Sequence, residues 1–559
     1  MVKRIIDALS KEVSGLHEAA FLLGFFAVAS QILALLRDRL FANYFGAGPT
    51  LDVYYAAFRI PDALYVVIAS FVSVSVIIPF LSRMEGDETK AKRFVSEIFT
   101  IFSLVMVFSS VVVFFLIPYL APLIAPGFSE EQINTLIVLS RILLLSPFIL
   151  GLSNNIFGSI TQFYKRFFVY ALAPVLYNAG IIVGVFLFYP TFGMKGLAFG
   201  VVFGALLHVL VQLPVAVERG FMPHFVKEMN WKDISQVVLV SLPRTITLSA
   251  NHFVLIALGA LASTMYVGSI SIFNFSFNLQ SVPLATIGVA YSMAAFPMLA
   301  AFFTRGEKER FVEHMITALR HIIFWSVPIT VLFIVLRAQI VRTILGSGAF
   351  SWNDTRLTAA ALALFSFSVL TQSLTVLFSR GYHAAGDTRK PLFINLFSAV
   401  GAIGGAFWLV VLFEKNTFFQ YFIESILRVD YIPGTIVLML PLAYSIASII
   451  NAAMHWFMFE KDFNIDLYHI IRKTFFESFS ASVIMGFAAY NCLNFFALIL
   501  NTQTAVGIFL QGFLSGGIGI IFGIIVLKIL KNSEIRDISL ALHKKFWRAD
   551  VVAPAQEEL

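Results

Sequence analysis

Arg37, Asp38 and Arg39 stand side by side in an otherwise apolar stretch, and Asp52, Arg59, Pro61 and Asp62 follow closely. A guanidinium is a planar fork of donors that matches phosphate oxygens two at a time, so arginines gathered at membrane depth could hold an anionic, phosphate-bearing substrate. The same residues could instead form an ion-pair network that ties the first two apolar stretches together. Six arginines, Arg37, Arg39, Arg59, Arg141, Arg244 and Arg320, fall inside or at the ends of apolar stretches. Each costs at least about 2.5 kcal/mol at a helix centre unless it is paired, hydrated or snorkelling. Arg244 and Arg320 lie near helix ends, where snorkelling accounts for them.

A second polar stretch contains Asn251, His252, Asn274, Asn278 and Gln280. Such groups hydrogen-bond between helices or contact the sugars of a substrate, and interhelical bonding is the simpler use. No carboxylate accompanies them, so the coupling ion, sodium or proton, is left unassigned. Pro61 and Pro283 are hinge candidates, because proline in a helix frees backbone carbonyls and bends the axis. His455 beside Trp456 reads as interfacial. Gly200-x3-Gly204, Gly401-x3-Gly405, Gly512-x3-Gly516 and Gly519-x3-Gly523 have the spacing that lets helices approach closely. The chain has no phosphate-binding Gly-x4-Gly-Lys-Ser/Thr loop, no His-Glu-x2-His pair and no Gly-x-Ser-x-Gly elbow. Its lone Cys492 excludes an internal disulfide. Neither enzymatic chemistry nor a cofactor is expected, and energy would have to come from an ion gradient or the membrane potential.

The elements that must position these residues are set by composition: 59% of the 559 residues are apolar, 13% are charged and 61 are phenylalanine. Apolar runs of 18 or more residues recur along the chain, each long enough to cross a hydrocarbon core of about 30 Å. The expected fold is an all-α integral membrane protein with about 14 spans, near 20–43, 53–81, 94–118, 134–162, 168–189, 196–217, 237–262, 268–302, 312–336, 357–379, 392–413, 433–459, 475–500 and 505–530. The net charge of +7, which would suggest nucleic acid for a soluble chain, is here a signal of sidedness. With the N-terminus inside, about 27 of the 39 Lys+Arg fall in the tails and inner loops and about 6 outside, among them Arg337, Arg342 and Arg356. Both termini are therefore expected in the cytoplasm.

An internal repeat is also expected. Pro79 returns as Pro297, Pro174 and Asn178 return as Pro391 and Asn395, and Asn155 returns as Gln372, at offsets of about 217 to 218 residues. Two six-helix units that enter the membrane in the same direction would be related by an axis along the bilayer normal and would face each other across a cleft. The expected organisation is a cytoplasmic amphipathic tail at 1–18 (Lys3, Arg4, Lys11), six-helix lobes at 19–232 and 233–460, two additional spans within 461–531 and a cytoplasmic tail at 532–559. Glu414 to Ile432 reads as an insertion in an outer loop.

The stretch from Ser30 through Arg37, Asp38, Arg39, Phe45, Gly46, Ala47 and Gly48 to Asp52, with Ala57-Phe-Arg59-Ile-Pro61, resembles the opening signature of the MurJ (MviN) lipid II flippases, in the multidrug/oligosaccharidyl-lipid/polysaccharide exporter superfamily. Ala125-Pro-Gly-Phe128, Ala173-Pro-Val-Leu-Tyr-Asn178, Gln212-Leu-Pro214 and Gly348-Ala-Phe350 match as well. The most diagnostic match is Gly381-Tyr-His-Ala-Ala-Gly386-Asp387-Thr-Arg-Lys-Pro391, which reads as a signature turn rather than a catalytic loop. The resemblance runs in order from about residue 20 to 460.

It implies two six-helix lobes in a V around a cationic cavity, with two extra C-terminal helices making a groove for the lipid tail. It implies transport of lipid-linked peptidoglycan precursor across the bacterial plasma membrane, with membrane lipids and cell-wall synthesis proteins as partners and no nucleic acid. Arg37, Asp38 and Asp52 match family positions, and Arg39, Arg59 and Asn278 complete the candidate substrate-binding set. The chain departs from the family where Tyr65 replaces an arginine, Ser70 a glutamate, and Phe277-Asn278 an Asp-Arg pair. These departures leave open an exporter of a different polyprenyl-linked glycan, and a transport-inactive scaffold for cell-wall synthesis is the remaining alternative.

Overall fold

In lipid, every backbone N–H and C=O must find its partner within the protein, and for apolar runs of this length the helix is the local solution. The computed structural model describes residues 16–69, 77–78, 80–81, 84 and 86–536, and among these every regular element is a helix. Ser70, Pro79, Arg83, residues 1–15 and residues 537–559 lie outside the described residues, as does the side chain of Arg244.

In chain order the helices are α1 (Leu16–Phe45), α2 (Pro49–Ala57), α3 (Arg59–Ala69), α4 (Glu88–Ile124), α5 (Glu130–Phe163), α6 (Phe167–Phe192), α7 (Met194–Glu218) and α8 (Trp231–Ser263). They continue as α9 (Ser269–Thr304), α10 (Lys308–Val335), α11 (Arg337–Ile344), α12 (Trp352–Ala384), α13 (Arg389–Lys415), α14 (Thr417–Leu427), α15 (Thr435–Phe463), α16 (Leu467–Ile499) and α17 (Ala505–Ile529). Eleven of them are long and apolar enough to cross a membrane. The other three expected spans fall on α1, on α2 and α3 with the undescribed residues after Ala69, and on α8, of which Ser249–Ser263 is apolar. Helix starts follow local chemistry. Ser129 and Gln132 form a reciprocal capping box at α5, and Asp87, Asp466 and Thr504 each accept a backbone N–H at the starts of α4, α16 and α17.

The chain forms two compact units, one of Met1–Val282, Ile344–Phe365 and Asp387–Asn451, the other of Pro283–Thr343, Ser366–Gly386 and Ala452–Leu559. In the first, α6 packs on α1 and α7, and α8 packs on α3, α4 and α13. Part of its core is Ile98, Phe102, Met106, Phe157 and Ile160. In the second, α10 packs on α16, which packs on α17, around a core that includes Phe311, Leu319, Phe378, Tyr382 and Phe459. These units are defined by contact, whereas the six-helix lobes expected from the sequence are defined by repetition along the chain. Large apolar side chains such as Phe108, Phe115, Phe487 and Phe513 remain exposed, as a surface solvated by acyl chains requires.

Small residues act where backbones touch. A Cβ on Gly200 of α7 would lie 2.6 Å from the Cα of Gly184 in α6, so this crossing admits no side chain. The Gly401-x3-Gly405 spacing does not serve close approach: a Cβ at either glycine meets nothing within 4 Å. On α13 the neighbouring Ala402 and Ala406, about 100° round the helix from the two glycines, are buried instead. Gly200→Leu is therefore expected to abolish accumulation of folded protein, while Gly401→Leu shifts stability by no more than about 0.5 kcal/mol. Membrane abundance and thermal unfolding in detergent distinguish the two, and equal tolerance would refute the assigned crossing.

Candidate functional site

The polar residues read from the sequence gather in the first unit, where α1, α2 and α3 meet the start of α9. Arg37 donates from Nε and Nη2 to Asp38 Oδ1 at 3.0 and 2.8 Å, and from Nη1 to Asn178 Oδ1 on α6 at 3.1 Å. Asp38 is buried, and its second oxygen accepts from Asn278 Nδ2 on α9 at 2.9 Å. One turn earlier on α9, Asn274 Oδ1 accepts from Arg59 Nη2 at 3.1 Å. Asn274 and Asn278 are four residues apart, so one face of α9 offers carboxamides to α1 and α3.

Asp52 on α2 makes the densest contact. Its carboxylate accepts from Gly268 N at 2.6 Å, Ser271 N at 2.8 Å and Ser271 Oγ at 2.7 Å. The first backbone N–H groups of a helix lack partners within it and carry a partial positive charge. Asp52 therefore caps α9 from a distant part of the chain, the task a capping residue ordinarily performs for its own helix.

Loops complete the junction. Gly46, at φ +61°, brings its backbone against Ala349, and Ala349 N donates to Asn43 O at 2.9 Å. Gly348, at φ +60°, packs in turn on Asn43. Two signature stretches some three hundred residues apart, Gly46-Ala47-Gly48 and Gly348-Ala-Phe350, thus need glycine because they meet each other. Gly127 N donates to Ser263 Oγ at 3.2 Å nearby. Arg39 turns away from Arg37 and donates to the Ile344 carbonyl at 3.3 Å.

Among the described residues, the remaining candidates make no polar contact in this junction. Pro61 sits in the first turn of α3, just after the break at Phe58, where a missing N–H costs nothing. Pro283 precedes a wide, π-helical turn at Leu284–Val289 and is the residue at which the second compact unit begins. In the signature loop, Gly381 packs on Met315, and Tyr382 Oη donates to Asp462 Oδ2 at 2.9 Å. Gly386 takes φ +77°, and Asp387 Oδ1 accepts from Arg389 N and Lys390 N, opening α13 ahead of Pro391. That loop is built as a helix connection. Among the other cations, Arg141 lies over the Phe114 ring, Arg320 reaches the Ile470 carbonyl, and Arg337 donates to Ile334 O at the end of α10.

The departures from the family pattern have structural counterparts. Tyr65 Oη accepts from Asn154 Nδ2 at 3.0 Å. Phe277 stacks on Phe273 and meets Phe365 and Tyr444 edge-on, so that position belongs to an aromatic cluster in which a carboxylate would lack a partner. Ser70 lies outside the described residues. The sequence alone does not single out Asn274 or Ser271 as partners for charges. The four-residue spacing of Asn274 and Asn278 was the available signal. Asn178 is marked in the sequence as a repeat anchor and as the end of a family-matching stretch, neither of which points to Arg37 as its partner.

Fold and site define a multi-pass, all-helical membrane protein with the architecture of multidrug and lipid-linked glycan exporters. A solved structure described as an inward-facing conformation of a multidrug resistance MATE family transporter of the MOP superfamily aligns with a TM-score of 0.61 at 14% identity, over 78% of this chain and 94% of that one. The chain belongs to the MurJ lipid II flippase family, whose family model, described as lipid II flippase MurJ, matches residues 41–514. Relatives described as probable lipid II flippase MurJ include those of Thermotoga maritima, 30% identical over 67% of this chain and 76% of that protein, and Bdellovibrio bacteriovorus, 27% identical over 70% and 77%. A solved structure described as lipid II flippase MurJ in an inward closed conformation aligns with a TM-score of 0.71 at 24% identity, over 93% of this chain and 100% of that one.

Proposed function

We propose that this chain is a lipid II flippase, carrying undecaprenyl-pyrophosphate-linked peptidoglycan precursor from the inner to the outer leaflet of the bacterial plasma membrane by alternating access. Both termini face the cytoplasm in this reading, and an ion gradient or the membrane potential supplies the energy. Its partners are the precursor, membrane lipids and cell-wall synthesis proteins.

The observation that carries the site assignment is the state of Arg59. Among the described residues its one hydrogen bond goes to the neutral Asn274, its Nε has no hydrogen-bond partner, and the carboxylate of Asp62 attracts it without closing to an ion pair. Arg37 is ion-paired with Asp38, whereas Arg59, only partly offset by Asp62, keeps donors for a pyrophosphate. The break at Phe58 just before Pro61 and the wide turn after Pro283 serve as hinges in this reading.

Arg59→Ala, compared at equal membrane abundance, is expected to lower outer-leaflet exposure of labelled precursor by roughly tenfold or more, the equivalent of one hydrogen bond to a charged group at about 1.5–3 kcal/mol. Arg59→Lys keeps the charge and loses the fork, so it should fall in between. Exposure at the wild-type level in Arg59→Ala would remove Arg59 from the site. A second reading, an exporter of a different polyprenyl-linked glycan, is favoured by Asn278, which meets Asp38 as a neutral donor where the family pattern has arginine. Complementation of cells depleted of their own flippase, with mass spectrometry of the lipid retained by the purified protein, separates the two.

A further inference from the structure

The connection between α13 and α15 contains a helix of its own, one that the transport reading does not require. α14 opens at Thr417, two residues after α13 ends at Lys415, with Asn416 Oδ1 capping it through Phe419 N. Its 11 residues extend only about 16 Å, about half the thickness of a hydrocarbon core, so it cannot be a span. Phe418, Tyr421, Phe422 and Ile426 are exposed by 78, 66, 50 and 60%. At the 3.6-residue helical period they occupy one arc of about 140°, and the arc contains no charged residue. The opposite side is pinned to the protein. Glu424 is buried and accepts from Thr435 Oγ1 at 2.6 Å and Gln420 Nε2 at 3.1 Å, Leu427 is buried, and Phe419 meets Phe413 of α13 edge-on.

We propose that α14 lies in the membrane interface with its Phe418–Tyr421–Phe422–Ile426 face sunk to the boundary between lipid headgroups and acyl chains. Two features of the first unit select lipid as the occupant. α14 joins the end of a span whose last turns expose Phe407, Trp408 and Val411, so its apolar face continues a surface already solvated by acyl chains. α15 begins soon after it, at Thr435, and the Thr435–Glu424 bond holds α14 at the level where that span starts. Aromatic side chains on a short amphipathic helix at that depth are what an interfacial anchor requires. The placement is independent of which lipid the chain transports.

The test uses the full chain in liposomes, with Cys492→Ala removing the native thiol. A spin label at Phe422→Cys, and separately at Phe418→Cys, is expected to collide more with oxygen than with a water-soluble nickel chelate, a ratio above one. A ratio below one would place α14 in water, protection from both reagents would mean that protein covers it, and dipolar broadening between labels would mean a second copy. Each of these outcomes overturns the proposal. The unsubstituted protein provides an independent reading. A phosphatidylcholine with a diazirine near the glycerol end of its acyl chain should label the Thr417–Leu427 peptide on irradiation. Labelling of the spans without this peptide would also refute the interfacial placement.

Discussion

Asp38→Ala is expected to lower stability by about 3 kcal/mol, since removing one partner of a buried ion pair costs about 3–5 kcal/mol and Arg37 here keeps some exposure. The reason lies in what would be left behind. Arg37 would retain only Asn178, and Asn278 would lose the oxygen that accepts its Nδ2. Side-chain exposures of 20% for Arg37 and 4% for Asp38 put this pair at the low end of the range. Thermal unfolding in detergent measures the loss, and an unchanged midpoint would show that the pair contributes nothing. A double variant, Arg37→Met with Asp38→Leu, then separates structure from transport. Replacing a buried pair by apolar residues of similar volume is often neutral or stabilising. If the double variant regains stability and still fails to expose precursor, the charge itself serves transport. If both are regained, the pair is a structural tie and the cavity role passes to Arg59 alone.

How much of this was legible in the sequence depended on whether the physics was local. Span positions were readable because a hydrocarbon core demands long apolar runs, and the Arg37–Asp38–Arg39 cluster stood out because charge at that depth is costly. Partners were not readable, because they come from remote parts of the chain. Asp52 caps a helix 216 residues away, and no local pattern marks Gly268 or Ser271 as its target. Of the two alternatives left open for the cluster, the structure shows ties at Asp38 and Asp52, and substrate contact at Arg59 is a proposal. Glycine spacing was ambiguous for a different reason. A four-residue period does not say which side of a helix is packed: a Cβ at Gly401 or Gly405 meets nothing within 4 Å, while Ala402 and Ala406 are buried. In sequence the Glu414–Ile432 segment reads as an insertion in an outer loop, because 11 residues are too few to give a membrane signal, yet Asn416 and the aromatic stripe define α14.

Asp52→Asn is expected to weaken the junction of α2 with α9 by about 2 kcal/mol, on the basis of roughly 1.5–3 kcal/mol for a hydrogen bond to a charged group. Asparagine keeps one acceptor oxygen, while Gly268 N, Ser271 N and Ser271 Oγ all donate to the carboxylate in the native chain. At least one backbone N–H at the start of α9 is then left without an acceptor, and the attraction between a negative charge and the helix N-terminus is lost. If the junction opens and closes during transport, the cost falls on the closed state alone. A difference of about 2 kcal/mol then shifts the ratio of open to closed by well over tenfold, because each 1.4 kcal/mol is a factor of ten. Spin labels at Ala47→Cys and Ala349→Cys, in the Cys492→Ala background, report this as a longer-distance population that grows in Asp52→Asn. Arg59→Ala should move it less, since it removes a single bond to a neutral carboxamide. An unchanged distance distribution in Asp52→Asn, with the protein folded, would show that the cap does not hold the junction closed and that opening is governed by the Gly46–Ala349 backbone contact instead.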